Sequence, residues 1–392
     1  MLCEDNSSKL LGMEGVKINK VWEERGKRHI AIELPRRAHS CPGCGAMTQA
    51  VHDYREQQVR DVAGYGKLTV LHLRKRRYRC TSCGKRFAED NPFLPRYHQV
   101  TSRLVANVIN DFRELRPAKQ IAAENGVSIA TALRYFGLVN YRCRSLPEVL
   151  SIDEFKGNAG GEKYQSIITD AKHRLVLDIL PNRKSADLMA YFRQFSTRSS
   201  VKVVVMDMNR AYLEVAKSSF PNATIVIDKY HVTRQALWAF ENVRKAEQRK
   251  FNDERRKYFK RSRSLLMKHP SKLTDEQTDE VAVMLMTSER LRQAYHLKNK
   301  FQEFMWSKSS IEGRKKLSEW IILAELAGLA EFRACLTAVH NWDKYILNAF
   351  DYHYTNGFTE GCNNKTKVLK RVCFGVRNFS RFRNRILHCS VA

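Results

Sequence analysis

Two kinds of side chain in this sequence have types and spacings that could do chemistry: lone carboxylates in apolar segments, and cysteines in close pairs. Asp207 closes VKVVVMD, a segment so apolar that a charge belongs there only if it faces a cleft or an ion. Asp153 sits inside SIDEF. Strand periodicity sends its neighbour Glu154 to the opposite face, so Asp153 is the candidate of the two. Placed on adjacent strands, Asp153 and Asp207 could share a cation. Glu360 supplies a third carboxylate from the opening turn of a late helix, with Asn363, Asn364 and Lys367 on the same helical face. The matching chemistry is in-line displacement at a phosphodiester. Charge builds there on the attacking and leaving oxygens, and two ions held by hard oxygen ligands stabilise both. Taken singly, each carboxylate is also what a helix cap or an ion-pair partner looks like. Asp228-Lys-Tyr-His231 is a further polar cluster, able to orient substrate or shuttle a proton, or to serve as a helix cap with a partnered His.

Cys41-Pro-Gly-Cys44-Gly and Cys80-Thr-Ser-Cys83-Gly are matching turns whose sulfurs can approach one ion at tetrahedral angles. The glycine after each second cysteine permits the tight backbone that aims amides at thiolates. Four thiolates leave no open position, so the expected ion is structural Zn2+. A redox pair would usually stand alone at a helix start. The other cysteines (Cys3, Cys143, Cys335, Cys362, Cys373 and Cys389) are scattered, which excludes a secreted disulfide framework.

The elements that must position these groups fall into zones. Residues from about 9 to 95 alternate apolar and polar positions in VKINKVWEE, HIAIELP and LTVLHLRKRRY, so short strands surround the cysteine pairs in a β-rich module spanning 1–95. Its cationic strand carries Arg74, Lys75, Arg76, Arg77 and Arg79, suited to phosphate contact or, more plainly, to a solvated edge. Helical spacing follows over 96–146, with Leu104, Val105, Val108, Ile109 and Phe112 on one stripe. PAKQIAAENGVSIATALRYFGL then reads as a helix-turn-helix: Gly126 at the turn, Ser128 as cap, and Ser128, Thr131 and Arg134 facing a DNA groove. SIDEF, YQSIITDA, RLVLDIL, VKVVVMD and ATIVID are candidate strands of a mixed sheet within 147–245, with helices over Leu188, Tyr191, Phe192 and Phe195, capped by Ser185, and over AYLEVAKSSF. From Val232 to Trp342 the pattern is almost wholly helical with one break at His269-Pro270-Ser271, giving a helical insertion over 246–345. The last zone, 346–392, resumes with a helix that stripes Val368, Leu369 and Val372 and ends in RNFSRFRNRIL. There Arg377 and Arg381 could contact DNA backbone, or the alternating Arg and Phe could pack amphipathically.

Lys and Arg number 69 against 41 acidic residues, a formal charge of +28 that calls for a polyanionic partner, and nucleic acid is the expected one. No run of eighteen apolar residues and no basic-then-apolar leader argues for a membrane or for export, so a cytoplasmic location is expected.

CPGCG, CTSCGKRFAE, SIDEFKG, VVVMDMNRAYLEVAKSSFPNA, IVIDKYHVTRQAL and NGFTEGCNNKTKVLKRVCFGVRNFSRFRNRIL, in this order, resemble the ISL3 family of bacterial insertion-sequence transposases. The resemblance spans nearly the whole chain. It implies a multidomain α/β protein in which a zinc finger and a helix-turn-helix precede a ribonuclease-H-like catalytic domain, itself interrupted by a helical insertion. It also implies that Asp153, Asp207 and Glu360 form an acidic triad for Mg2+ or Mn2+, with Asp228 and His231 as an acidic-x-x-His signature. The expected partners are double-stranded DNA, as terminal inverted repeats and as target, and further copies of the chain in a dimer or larger assembly. A DNA-binding regulator without catalysis, and a nuclease that cuts without joining, are the rival readings.

Overall fold

The structure is a computed structural model that describes residues 12–13, 15–95 and 98–390. Cys3 and most of the N-terminal segment read above for a leader lie outside the described residues. The chain divides into two units, one running to Tyr141 and including Val368–Gly375 and the residues from Asn384, the other comprising Arg142–Lys367 and Val376–Arg383.

In the first unit, β1 (Lys17–Glu24), β2 (Lys27–Glu33), β3 (His39–Ser40), β4 (Met47–Thr48), β5 (Val51–Gly64), β6 (Lys67–Arg79) and β7 (Arg86–Ala88) follow one another. The sheet order is β1-β2-β6-β5 with β7 on β6, while β3 and β4 pair separately. Strand alternation puts Ile30, Ile32, Val59, Leu71 and Leu73 in one apolar cluster. Two of these strands, β5 and β6, run to 14 and 13 residues, longer than the expected short segments, and β5 was not among them. Three helices follow: α1 (Ser102–Asp111), α2 (Ala118–Glu124) and α3 (Ile129–Phe136). Thr101 caps α1 and Ser128 caps α3 through side-chain oxygens that accept from Leu104 N and Thr131 N. Gly126 holds the α2–α3 turn with φ +62°, which a Cβ would disfavour. Leu104, Val108, Phe112, Ile121, Ala132 and Phe136 bury together beneath it.

The second unit is built on β8 (Val149–Phe155), β9 (Gln165–Asp170), β10 (Leu175–Leu180), β11 (Val203–Met206) and β12 (Thr224–Ile227), ordered β10-β9-β8-β11-β12. The first three pair antiparallel, and β8, β11 and β12 are parallel. α4 (Ser185–Arg193) and α5 (Arg210–Ser219) connect them. Val204 and Met206 face the main core, and Val203 and Val205 pack on the other side with Val226 and Ala349. Burial on both faces is why these strands read as continuous apolar runs. Ser185 does not cap α4 as expected: the cap position is Lys184, and Asn182 Oδ1 accepts the Lys184 N–H instead.

The helical stretch is broken more often than the single expected interruption. It comprises α6 (Lys229–Gln248), α7 (Asp253–Arg261), α8 (Arg263–Met267), α9 (Asp275–Met286), α10 (Glu289–Met305), α11 (Ser310–Ala327) and α12 (Arg333–Tyr352), with a short 3-10 turn at Pro270–Lys272. Asn252, Thr274, Ser288 and Ser309 cap the helices that follow them. No helix among the described residues is long and apolar enough to cross a membrane. α13 (Gly357–Val372) and α14 (Phe379–Ser390) complete the chain. Leu369 is buried as expected, but Val368 is 37% exposed and does not belong to the apolar stripe.

Candidate active site and zinc centre

Register does most of the work of assembling the acidic groups. Met206 on β11 pairs in parallel with Ile152 on β8 and with Ile227 on β12. Asp153, Asp207 and Asp228 are the next residue in each case, so they stand side by side, Asp207 and Asp228 just past the carboxyl ends of β11 and β12 and Asp153 two residues before the end of β8. This is the edge where open α/β sheets place their ligands.

The fourth carboxylate arrives on α13. Asn356, just before that helix, is fully buried: its backbone N–H donates to Asp228 Oδ1 at 3.2 Å and its Nδ2 to Asp207 Oδ1 at 3.3 Å. Its own Oδ1 accepts from the Ser151 hydroxyl at 2.7 Å. Thr359 Oγ1 lies 3.0 Å from Ser151 Oγ and 2.8 Å from Thr169 Oγ1, pinning the first turn of α13 to β8 and β9. Glu360 follows directly, and its Oε1 sits 3.9 Å from His231 Nε2. On the other side of the imidazole, His231 Nδ1 is 2.7 Å from Asp207 Oδ1 and 3.6 Å from Asp228 Oδ2.

A cleft of about 330 Å³ brings together Asp153, Asp207, Glu360, His231, Asn363 and Lys367, with Glu154, Asn364, Tyr230 and Arg234 completing its wall. Glu154 lines the same cleft as Asp153, which strand alternation did not lead one to expect, but the two carboxylates have different partners. Asn363 Nδ2 donates to Asp153 Oδ2 at 2.7 Å, whereas Glu154 accepts from Arg183 at 2.5 Å and from the Tyr212 hydroxyl at 3.1 Å.

Crowded acids with little water disfavour their own charge. Burial, then the charge of Asp207, pushes Asp153 up to about 7. Burial also raises Asp228 and Glu360, while pairing with Asp207 raises His231. Divalent cations would relieve that repulsion. Asp207, Asp228 and His231 each offer a ligand atom within 4.8 Å of the others. Asn363 Oδ1 is a further hard oxygen, buried without a hydrogen-bond donor. Carboxylate and amide oxygens with one imidazole fit Mg2+ or Mn2+.

Asn356 is a positioning residue, and Asn356→Ala removes its amide from both Asp207 and Ser151. We expect a stability loss of about 1–3 kcal/mol and a drop in metal-dependent activity of about 10–100-fold, read by thermal melting and initial rates. An unchanged rate would mean that Asp207 is held by other contacts.

The cysteines form a second centre. Cys41, Cys44, Cys80 and Cys83 place all their sulfurs within 4.8 Å of one another. The two turns are built alike: Gly45 N donates to Cys41 O at 2.9 Å and Gly84 N to Cys80 O at 3.0 Å, with φ of +75° and +72°. The Gly43 amide lowers the Cys41 thiol and the Cys83 amide lowers Cys80 to about 6, whereas at Cys44 the Ala46 amide is outweighed by the Cys83 and Cys80 sulfurs, which push it up to about 12, so backbone dipoles favour thiolate at the first cysteine of each turn.

A family model described as a transposase, of ISL3 type, matches residues 150–386, the segment that carries every acidic residue of the cleft. The chain belongs to the ISL3 transposase family. A second model, the zinc finger of the transposases of IS204, IS1001, IS1096 and IS1165, matches residues 37–83 and supports structural Zn2+ at the four cysteines. The transposase is 28% identical to the "Transposase for insertion sequence element IS1001" of Bordetella parapertussis over 95% of this chain and 94% of that one. It is 23% identical to the "Transposase for insertion sequence element IS1557" of Mycobacterium tuberculosis over 55% of this chain and 54% of that one. A Lactococcus lactis protein named "ATP-dependent protease" is 32% identical over 35% of this chain and 39% of its own. The transposase sequence has no G-x-x-x-x-G-K-[ST] phosphate loop to accompany that name.

The residues expected to touch DNA divide sharply. Arg74, Arg79, Arg134, Lys367, Arg377 and Arg381 of the transposase are exposed, and the Arg74 guanidinium lies 4.0 Å from the Tyr54 ring centre. Lys75 donates to Gln57 and Arg77 pairs with Asp53, leaving both partly accessible. Ser128 and Thr131 hydroxyls lie 2.9 Å apart at the start of α3.

Arg76 is a correction. It is 6% exposed and ion-paired with Glu33 and Glu89, so it braces the sheet and cannot reach a phosphate. Asn363 is another: at 5% exposure, with its amide on Asp153, it serves the carboxylate rather than DNA. In the C-terminal segment Phe382 and Leu387 are buried, Arg383 pairs with Asp178, and Arg385 donates to the carbonyls of Glu114 and Arg116, so the inner Arg and Phe residues pack while Arg377 and Arg381 stay free of the core. Asn356, Thr359 and Ser151 escaped the sequence reading. The sole signal was an Asn of cap type ahead of a helix.

Proposed function

We propose that this transposase cuts DNA at the ends of its element and joins them to target DNA at the carboxylate cleft, with Asp153, Asp207 and Glu360 holding divalent cations and Asp228 and His231 supporting them. The observation that carries the reading is the row of Asp153, Asp207 and Asp228 on adjacent parallel strands, with Glu360 across the same cleft. Bound Mg2+ or Mn2+ would activate the attacking hydroxyl and neutralise charge on the leaving oxygen. The chain's own part is to hold ligand oxygens in fixed directions. Asn363 orients Asp153, and Asn356 orients Asp207 and Asp228. His231, between Asp207 and Glu360, can hold a proton at Nε2 while Nδ1 faces Asp207. Lys367 and Arg234 at the rim meet phosphate charge.

Three antiparallel strands followed by two parallel ones support a ribonuclease-H-like domain, with α7–α11 as its helical insertion. The capped turn between α2 and α3 supports a helix-turn-helix that, with the exposed cations of β6, reads terminal inverted repeats as a dimer or larger assembly. The test is incubation of the protein with Mg2+, a labelled terminal repeat and a plasmid. Strand-transfer products are expected. Cutting without joining would make it a nuclease, and binding without cutting a regulator.

A further inference from the structure

Helix α6 leaves the acidic cleft carrying, on either side of the rim cation Arg234, two rings that the proposed chemistry does not use, Tyr230 and Trp238. Its inner face is apolar and buried through Val232, Ala236, Ala239, Phe240 and Val243. Its outer face carries Tyr230, Arg234 and Trp238 at intervals of four residues, which stacks them along one side of the helix over about 12 Å. The two rings are 58% and 51% exposed. The Arg234 guanidinium lies 4.2 Å from the Trp238 ring centre, and the Tyr230 ring meets His231 edge-on at 5.5 Å. Tyr230 and Arg234 line the cleft itself, so the stripe is continuous with it.

Asp153 is the deepest acid lining the cleft of about 330 Å³, 5% exposed, whereas the side chains of Asp207 and Glu360 remain 27% and 36% accessible. A phosphodiester that reaches in from Asp207 and Glu360 toward Asp153 does so most readily on a strand that has left the helix locally, and each base that leaves loses a stacking partner. Rings and a planar guanidinium next to the cleft replace that partner without regard to sequence, and the cation suits the accompanying phosphate.

We propose that Tyr230, Arg234 and Trp238 form a stacking site for unpaired nucleobases of the DNA strand whose phosphodiester enters the cleft. This rests on the cleft being where DNA is cut, and the binding test below does not require cutting.

Anisotropy of the full-length protein with a fluorescent oligo-deoxythymidine, and with an abasic strand of equal length, separates base contact from phosphate contact. Wild type should favour the base-bearing strand. Trp238→Ala should bind it about tenfold more weakly with little change on the abasic strand, and Trp238→Phe should retain most of the preference. Equal losses on both strands, or none, would overturn the proposal; since Trp238 is exposed, neither outcome would come from misfolding. In a second arm, a mismatch beside the scissile phosphate should restore cleavage by Trp238→Ala more than cleavage by wild type, and an equal effect on both would count against the site. If wild type cuts nothing, the cleavage reading fails and the anisotropy arm still decides the stacking site.

Discussion

Asp207→Asn is expected to leave a folded, DNA-binding protein whose Mg2+-dependent cleavage falls on the order of a thousandfold, several kcal/mol of lost transition-state stabilisation. The substitution keeps the shape and a weak ligand oxygen but removes the charge that both His231 and a shared cation need. Its effects on stability oppose one another. Asp153 is pushed up to about 7 by burial and then by the neighbouring Asp207 charge, so neutralising Asp207 relieves that repulsion, but it also takes from His231 the partner that raises it. The melting temperature should change little while the rate collapses, a split that a purely structural Asp207 would not produce. Cleavage at the wild-type rate would remove Asp207 from the chemistry.

Loss of zinc should have an equally large effect in a different place. The strands around the cysteines, β3, β4 and β7, are two to three residues long and cannot bury enough apolar surface to hold themselves. The four sulfurs therefore carry this region, and a structural zinc is worth about 10–16 kcal/mol of apparent binding energy in small zinc modules. Cys80 is the most telling ligand, 1% exposed and at the end of β6. Cys80→Ser is expected to drop zinc content from one equivalent to near none and to open the two cysteine turns with their short strands, from His39 to Thr48 and from Cys80 to Ala88, to protease. The helical signal of the second unit should persist. Retained zinc with unchanged protease resistance would show that this sulfur is no ligand.

How far the sequence carried the reading depended on whether a residue's environment was local. The strands ending at Asp207 and Asp228 were legible because burial on both faces demands runs such as VVVM and TIVI. The cysteine turns were legible because their geometry closes within a few residues. β5 was not, since VHDYREQQVRDVAG buries only Val59 and Asp61, and Asp61 is stabilised by Thr101 and Arg103 from far along the chain. Arg76 looked like its exposed neighbours in HLRKRRYR, and what buries it is a pair of carboxylates on β2 and beyond β7. The helix caps at Asn252, Thr274, Ser288 and Ser309 had the right residue types but were submerged in a continuous charged pattern. Within the cleft, the acids could be nominated one by one. Their alignment depends on strand register, and the buried Asn356 and Thr359 that seat α13 have partners on β8, β9 and the ends of β11 and β12.

The most direct measurement of the central claim is a crystal structure of the protein grown with Mn2+, phased for anomalous signal at the manganese edge. The account predicts a peak about 2.1 Å from carboxylate oxygens of both Asp153 and Asp207, with Asp228, His231 or Glu360 completing the coordination. Manganese absent from this cleft at millimolar concentration, or bound only elsewhere on the molecule, would contradict it.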